Sequence, residues 1–514
     1  MIDPPIHVVR ASRPQHPPRR PLTEVAAWLA AADPTARTHG DLGGVATGVT
    51  LASQRVLPGD VYAALPGSRA HGVAYASEAV GAGAVAVLTD VYGAARVPAG
   101  VPVLEVAFPR ALLGRFAAHV YGEPARSLRM LGVTGTQGKT TTTRLAESAL
   151  QRSGVRSAVV GTVGTRLDGE EIKTALTTPE APDLHGLFAL MKERSVLACA
   201  MEVSSHALVQ GRVDGVVFDV AVFTNLGRDH LDFHGDVEDY FQAKASLFTS
   251  RRCGRGLVNV DDEHGRRLLA EGDDRGVPLQ SFSAQGADAD WRAESVEVTA
   301  SGSTFVVTGP DGIRAEAGCP LPGDFNVANA LAALAGCALL GFDLGPVARA
   351  MVEGGGVPGR LERVDAGQEF TVVVDYAHKP DAVTAALAAL RPLTTGRLII
   401  VLGAGGERDH GKRRIMGEIA ARMADVLIVT DDNPRGEEPA SIRGEILAGT
   451  RDGTAQVLET GDRRAAIREA VGQARPGDVV LVAGKGHETG QEVAGVVHPF
   501  DDREVVRDEL RALA

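Results

Sequence analysis

The stretch Arg-Met-Leu-Gly-Val-Thr-Gly-Thr-Gln-Gly-Lys-Thr-Thr-Thr-Thr, residues 129–143, constrains the fold more than any other part of the chain. Its short apolar run (Met130, Leu131, Val133) reads as a buried strand. A glycine turn follows, Gly135-Thr136-Gln137-Gly138, then Lys139-Thr140-Thr141 and a helical pattern through Arg152. Strand, turn and helix start together make a phosphate cradle. Backbone N–H groups and the positive helix end face an anion, Lys139 adds a point charge, and the Thr140 hydroxyl suits Mg²⁺. The widespread form G-x-x-x-x-G-K-[ST] needs glycine at 133, where this chain has Val133. The shorter G-T-x-G-K-T-T form points away from generic ATPases. A glycine–lysine pair in a loop is often structural, but the preceding strand and following helix make nucleotide binding the expected use.

The rest of the chain alternates strand and helix patterns. Its 514 residues predict about three domains. A small α/β unit is expected over 22–107. A central doubly wound, mostly parallel sheet carrying the phosphate loop is expected over 108–356, with an antiparallel patch at 292–317. A hinge at Gly354-Gly355-Gly356 leads into a C-terminal Rossmann-like α/β unit over 357–514. Residues 1–21, rich in Pro and Arg and without an apolar core, read as a disordered extension and not as a signal peptide. The net charge of −12 argues against a nucleic-acid partner. No apolar run approaches the ~20 residues of a membrane span. Cys199, Cys253, Cys319 and Cys337 lack metal-ligand spacing and read as the reduced thiols of a cytosolic protein.

The chemistry-bearing residues fall after strands, where open α/β sheets place their ligands. Glu202 and His230 sit at strand ends and, with Thr140, are candidate Mg²⁺ ligands. The ordinary readings are a helix-capping carboxylate and a hydrogen-bonded turn histidine. His206 and His234 read as braces of neighbouring loops. Lys244 alone reads as a solvated helix lysine. Arg408, Arg435, Lys485 and Glu488 lie in post-strand loops. Guanidinium forks there can grip carboxylates, and a glutamate can pair with an ammonium, where helix positions would suggest a surface salt-bridge network.

Taken together, these motifs resemble the Mur ligase family over nearly the whole chain. The matching stretches are residues 135–141, 177–179, 202–212 and 225–232, then Lys244, 326–329, 360–362 and 375–378, and finally 406–409, 432–435 and 484–488. The resemblance implies an ATP-dependent ligase in cell-wall precursor synthesis, with Mg²⁺ as cofactor and a cytoplasmic monomer as its state. The carboxylate of a UDP-MurNAc-L-Ala-D-Glu substrate would become an acyl phosphate, which the amine of meso-2,6-diaminopimelate would displace. Lys139, Lys244, His230 and Glu202 would be catalytic. Lys244, as an N6-carboxylysine, would join Thr140, Glu202 and His230 as a metal ligand. ATP would lie against residues 135–141 (Gly135, Thr136, Gln137, Gly138, Lys139, Thr140, Thr141) and against Asn326, Arg360, Asp375 and His378. Leu51, Ser53, Ser68, Arg69 and Ala70 would hold the uridine part. Thr177, Thr178, Ser204, Gln210 and Arg212 would hold the sugar-peptide end. Arg408, Asp432, Asn433, Pro434, Arg435, Gly484 and Glu488 would receive diaminopimelate, with Arg435 on its distal carboxylate, which lysine lacks.

Two positions depart from the family pattern. Gln137 replaces the frequent Asn or Ser, and His71 stands where many relatives place Asp. A folylpolyglutamate synthase shares the ATPase and C-terminal layout but has no use for residues 22–107 or Arg435. A nucleotide-gated scaffold has no use for amino-acid-gripping loops in a third unit.

Overall fold

The structure, a computed structural model, describes residues 11–172, 174, 176–230, 233–299 and 301–513. Leu231 and Asp232 of the 225–232 motif lie outside those residues. The chain forms two compact units. One comprises residues up to 292 with 308–313 and 331–350; the other comprises 293–307, 314–330 and the chain from 351 onward.

The first unit begins with a five-stranded sheet made of β1 (Arg37–His39), β2 (Gly48–Thr50), β3 (Asp60–Ala64), β4 (Ala86–Thr89) and β5 (Val103–Glu105). Their order is β1-β5-β4-β3-β2, parallel except for β1. Helices α1 (Leu22–Ala32) and α2 (Pro109–Val120) bury Leu22, Val25, Leu29, Phe116 and Val120 against it. Each such side chain contributes about 1.5–3 kcal/mol.

The expected disorder of 1–21 does not extend to residues 11–21. Arg13 is 5% exposed, and its Nη1 donates to both carboxylate oxygens of Asp60 at 2.7 Å. The Gln15 N–H donates to Glu193 at 2.7 Å. A proline- and arginine-rich segment is held here by ion pairing to residues far along the chain.

The central sheet of the same unit contains β6 (Arg129–Thr134), β7 (Ser157–Gly161), β8 (Gly164–Leu167), β9 (Glu170–Ile172), β10 (Ala198–Glu202), β11 (Phe218–Phe223), β12 (Cys253–Asn259) and β13 (Leu279–Ser283). Their order is β9-β8-β7-β10-β6-β11-β12-β13. All are parallel except the edge hairpin β8–β9. Register sets Glu202 beside Val133 and Phe223 beside Thr134, so three neighbouring strands end together. Gly132 is forced by packing, because a Cβ there would lie 2.7 Å from the Phe218 ring.

Mostly in the second unit, β14 (Trp291–Thr299), β15 (Gly302–Thr308) and β16 (Arg314–Cys319) lie side by side. A further sheet of that unit holds β17 (Glu362–Arg363), β18 (Thr371–Asp375), β19 (Leu398–Leu402), β20 (Val426–Val429), β21 (Gln456–Glu459) and β22 (Val479–Ala483), in the order β17-β18-β22-β19-β20-β21. All neighbours are parallel except β17–β18. β19, β20 and β22 are apolar runs buried throughout, as in a sheet covered on both faces. A hairpin, β23 (Gly490–Val493) with β24 (Val496–Pro499), follows. Among the described residues no helix is long and apolar enough to cross a membrane.

Candidate active site

The phosphate loop leaves β6 and enters α3 (Lys139–Arg152) where the glycine spacing requires a tight turn. Gly135 has φ +150°, and a Cβ on it would lie 1.9 Å from the Thr224 hydroxyl. Gly138 has φ +86° and precedes the first helical residue. The loop after β11 moulds this turn. Asn225 Oδ1 accepts from the Gln137 N–H at 2.9 Å, and the Thr224 hydroxyl donates to the Gln137 carbonyl at 2.6 Å. The Thr136 N–H donates to the Asn225 carbonyl, and the Gly227 N–H donates to the Thr136 hydroxyl at 2.9 Å. Gln137 is therefore fixed through its backbone, so its departure from the family pattern leaves the cradle's shape intact.

Lys139 Nζ donates to the carbonyls of Gly135 and Thr136, at 2.6 and 3.0 Å. Lys244, on α4 (Val237–Ala245), donates to the same Gly135 carbonyl at 2.8 Å and lies 4.3 Å from the Tyr240 ring centre. Lys244 is 1% exposed, so the solvated-helix reading fails. The signal is present in the sequence, since Lys244 shares its helical face with Tyr240, Phe241 and Phe248. Burial among these groups also pushes the Tyr240 hydroxyl pKa up.

Glu202 ends β10 and caps no helix. Its carboxylate, 1% exposed, accepts from the Thr162 N–H at 2.8 Å and the Thr162 hydroxyl at 3.1 Å. Among the described residues no Lys, Arg or His pairs with it. Thr140 is also buried, at the head of α3. His230 adopts φ +52° beside Asp229 (3.3 Å), with its ring centre 4.7 Å from that of His206. His234 braces as expected, its Nε2 lying 2.9 Å from the Ser205 hydroxyl.

The expected sugar-peptide residues gather around the end of β10. The Thr178 hydroxyl donates to the Glu202 carbonyl at 2.8 Å and accepts from the Ser204 N–H at 3.2 Å. The Thr177 hydroxyl lies 3.0 Å from that of Thr162. Arg212 donates to the Thr178 carbonyl (3.2 Å) and the Gln210 side chain (2.6 Å). The uridine candidates follow β2 and β3, adjacent parallel strands. Ser53 is buried and donates to Glu78 at 3.0 Å, Leu51 is half-buried, and Ser68, Arg69 and Ala70 are exposed. His71 shapes the loop itself, since it accepts from the Val73 N–H and lies 3.1 Å from Asp90.

In the second unit, Asp375 ends β18. Its carboxylate accepts from the N–H groups of Leu361 (2.7 Å) and Ala377 (2.8 Å), while burial raises its pKa against the opposing pull of Arg360. The Arg360 guanidinium lies 4.7 Å from the Tyr376 ring centre. His378 Nδ1 lies 2.7 Å from the Tyr376 carbonyl, and burial, reinforced by Lys379 and Lys412, pushes its pKa down to about 3. Asn326 donates through Nδ2 to the Pro322 carbonyl and accepts through Oδ1 from Asn329.

The amino-acid candidates gather after β19, β20 and β22. Asn433 Nδ2 donates to Glu488 at 2.9 Å, and the fully buried Lys485 donates to Asn433 Oδ1 at 3.0 Å and Glu488 at 3.1 Å. A Cβ on Gly484 would lie 2.5 Å from Asp432. Arg435, at φ +53°, donates through Nη1 to the Gly406 carbonyl at 2.7 Å, and its Nε lies 3.4 Å from Glu492. A Cβ on Gly406 would lie 2.0 Å from the Pro434 carbonyl, so this loop pair needs glycine. Arg408 is exposed beside them. Sequence reasoning missed Glu492 and Gln491 of β23, whose backbone and side chain bond Asn433 and Asp432, because a four-residue strand carries little periodic signal.

Three family models match in chain order: the Mur ligase family catalytic domain at residues 45–121, the Mur ligase middle domain at 133–337, and the Mur ligase glutamate ligase domain at 359–486. A UDP-N-acetylmuramoyl-L-alanyl-D-glutamate–2,6-diaminopimelate ligase of Streptomyces avermitilis is 54% identical over 97% of this chain and 98% of its own length. The chain belongs to the Mur ligase family. The enzyme of the same name from Corynebacterium glutamicum is 49% identical to this Mur ligase over 88% of the chain and 89% of its own length. A solved structure with that title is 34% identical, with TM-score 0.66, covering 91% of this Mur ligase and 95% of that chain. A Mycobacterium tuberculosis folylpolyglutamate synthase shares the fold at 20% identity and TM-score 0.59 over 79% of the chain.

Proposed function

We propose that this Mur ligase adds meso-2,6-diaminopimelate to the D-Glu γ-carboxylate of UDP-MurNAc-L-Ala-D-Glu, consuming ATP and releasing ADP and phosphate, in cytoplasmic peptidoglycan precursor synthesis. The observation that carries this reading is full-length identity of 54% to a diaminopimelate-adding ligase, with Arg435 and the Asp432–Asn433–Glu488 network in place. The division into uridine-binding (22–107), ATPase (108–356) and amino-acid-binding (357–514) parts belongs to the same reading.

The reaction must bring a carboxylate against a triphosphate. Loop amides at residues 135–141 and the Lys139 ammonium neutralise the phosphates, while Arg360, Asp375, His378 and Asn326 take the adenosine side. The substrate carboxylate attacks the γ-phosphorus, breaking the bond to the β–γ bridging oxygen and leaving ADP. The amine of diaminopimelate then attacks the acyl phosphate carbon, loses a proton, and expels inorganic phosphate. Asp432, Asn433 and Glu488 hold the amino-acid end, and Arg435 with Arg408 grips carboxylates bidentately.

The donor chemistry fits Mg²⁺. Among the described residues the buried Glu202 carboxylate has no cationic partner, and Mg²⁺ keeps several waters and needs few protein ligands. Thr140, Glu202, His230 and a carbamate on Lys244 would hold the ion, which supplies charge neutralisation between the two anionic substrates. Among the described residues no group of three or more His, Cys, Asp or Glu forms a preformed metal cage.

The test is an amino-acid panel with UDP-MurNAc-dipeptide and ATP, reading phosphate release and nucleotide-linked product. Diaminopimelate should support both, and L-lysine should fall short by about 10³-fold, as expected when the half-buried Arg435 guanidinium loses its carboxylate partner. Equal use of lysine would overturn the specificity, and phosphate release indifferent to amino acid would overturn the ligase reading.

A further inference from the structure

We propose that a cavity at the amino edge of the central sheet binds a small polyanion, a molecule with two or more phosphate or carboxylate groups. Arg126, Val217 and Arg251 line it, and they lie just ahead of β6, β11 and β12, three neighbouring parallel strands. The phosphate loop and Glu202 lie at the opposite, carboxyl edge. Strands of six to seven residues at about 3.3 Å each separate the edges by roughly 20 Å, so this cavity is not part of the reaction centre. Trp28 of α1 and Arg115 of α2 complete its wall.

Its volume is about 660 Å³, the size of a small-molecule site. Its electrostatics run against those of the chain, whose net charge is −12. Three arginines and one acid, Glu123, line it; Arg126 is 3.7 Å from Glu123, while Arg115 and Arg251 have no carboxylate partner among the described residues. All three arginines are solvent-exposed, so water hydrates their donors and screens their mutual repulsion, and each presents a fork matched to phosphate or carboxylate oxygens. A polyanion seated among them would pair with more than one guanidinium at once. Trp28 is held flat by His119, with ring centres 4.8 Å apart and planes 12° apart, and the Arg115 guanidinium lies 6.0 Å from the Trp28 ring centre. Trp28 lines the cavity, so its indole reports on it.

Trp28 and Trp291 are the chain's two tryptophans, so emission of the full chain minus that of W28F isolates the reporter. Inorganic pyrophosphate and citrate are titrated separately, which distinguishes phosphate from carboxylate ligands. A saturable change is expected that is absent in W28F, shifted at least tenfold to higher concentration in R115A/R251A, and kept in the phosphate-loop variant K139A. No saturable change with either anion, an unchanged midpoint in R115A/R251A, or loss in K139A would overturn the proposal. Calorimetric titration of the unsubstituted chain and R115A/R251A gives the same comparison should W28F lose its fold.

Discussion

Lys139 and Lys244 belong to different helices, yet both ammonium groups donate to the carbonyl oxygen of Gly135, at 2.6 and 2.8 Å. Two cations sharing one acceptor repel each other, and Lys244, unlike the half-buried Lys139, has almost no access to water. We propose that Lys244 is carbamylated, which would reverse the sign of one partner, make the pair attractive and supply an anionic ligand beside the phosphate loop. Lys244→Ala is therefore expected to cut turnover by roughly 100-fold or more, with added bicarbonate giving no recovery. Steady-state rates with and without bicarbonate check this, and near-normal activity would remove the carbamate.

Arg435 spends one nitrogen on the Gly406 carbonyl and lies beside Glu492, so its loop position is fixed before substrate arrives. Arg435→Ala is expected to raise KM for diaminopimelate by roughly 100-fold, as loss of a charge-assisted bidentate pair implies. ATP affinity should stay near normal. An unchanged KM would place the distal carboxylate elsewhere.

Arg463 and Asp502 form a fully buried pair, with bonds of 2.7 Å to both carboxylate oxygens. The same guanidinium donates to the carbonyls of Ala483 (2.9 Å) and Asp431 (3.4 Å), the residues just before Gly484 and Asp432. This staple sets the spacing of the two loops proposed to hold the amino acid. Asp502→Ala strands the Arg463 charge and is expected to cost about 3–5 kcal/mol in the second unit. Urea unfolding checks it, and a loss under about 1 kcal/mol would show that the pair is solvated.

His185 is buried in the first unit with Nε2 3.1 Å from the Asp214 carbonyl, and burial pushes its pKa down to about 4. The unfolded chain binds a proton near pH 6.5 that the folded chain refuses until about pH 4. Stability is therefore complete above pH 6.5 and falls as pH drops through this window, by about 3 kcal/mol at pH 4. Thermal unfolding against pH should show this slope, and His185→Gln should flatten it. An equal slope in both proteins would assign acid sensitivity to other groups.

The parts of this molecule that can be read from the chain are those set by local rules. Glycine spacing at 135 and 138 announces the cradle, and apolar runs such as 398–402 announce covered parallel strands. What escapes is set by distant partners or by short elements. Arg13 finds Asp60 across 47 residues, which composition cannot reveal. The β8–β9 hairpin has four- and three-residue strands, too short for a period-two signal. Glu202 resembles a cap in sequence because its burial at the end of β10, against Thr162, exists only in three dimensions. Lys244 is misjudged when lysine is treated as exposed by default, although its neighbours one helical turn away are aromatic.

Transfer of phosphorus to a substrate carboxylate is the step on which every assigned role depends. UDP-MurNAc-dipeptide carrying ¹⁸O in the D-Glu γ-carboxylate tests this most directly, with released phosphate analysed by mass spectrometry or ³¹P NMR. One labelled oxygen should appear in each inorganic phosphate, and the other should remain in the new amide. Unlabelled phosphate formed alongside amide product would contradict an acyl phosphate, and with it the roles given to the loop and its two lysines.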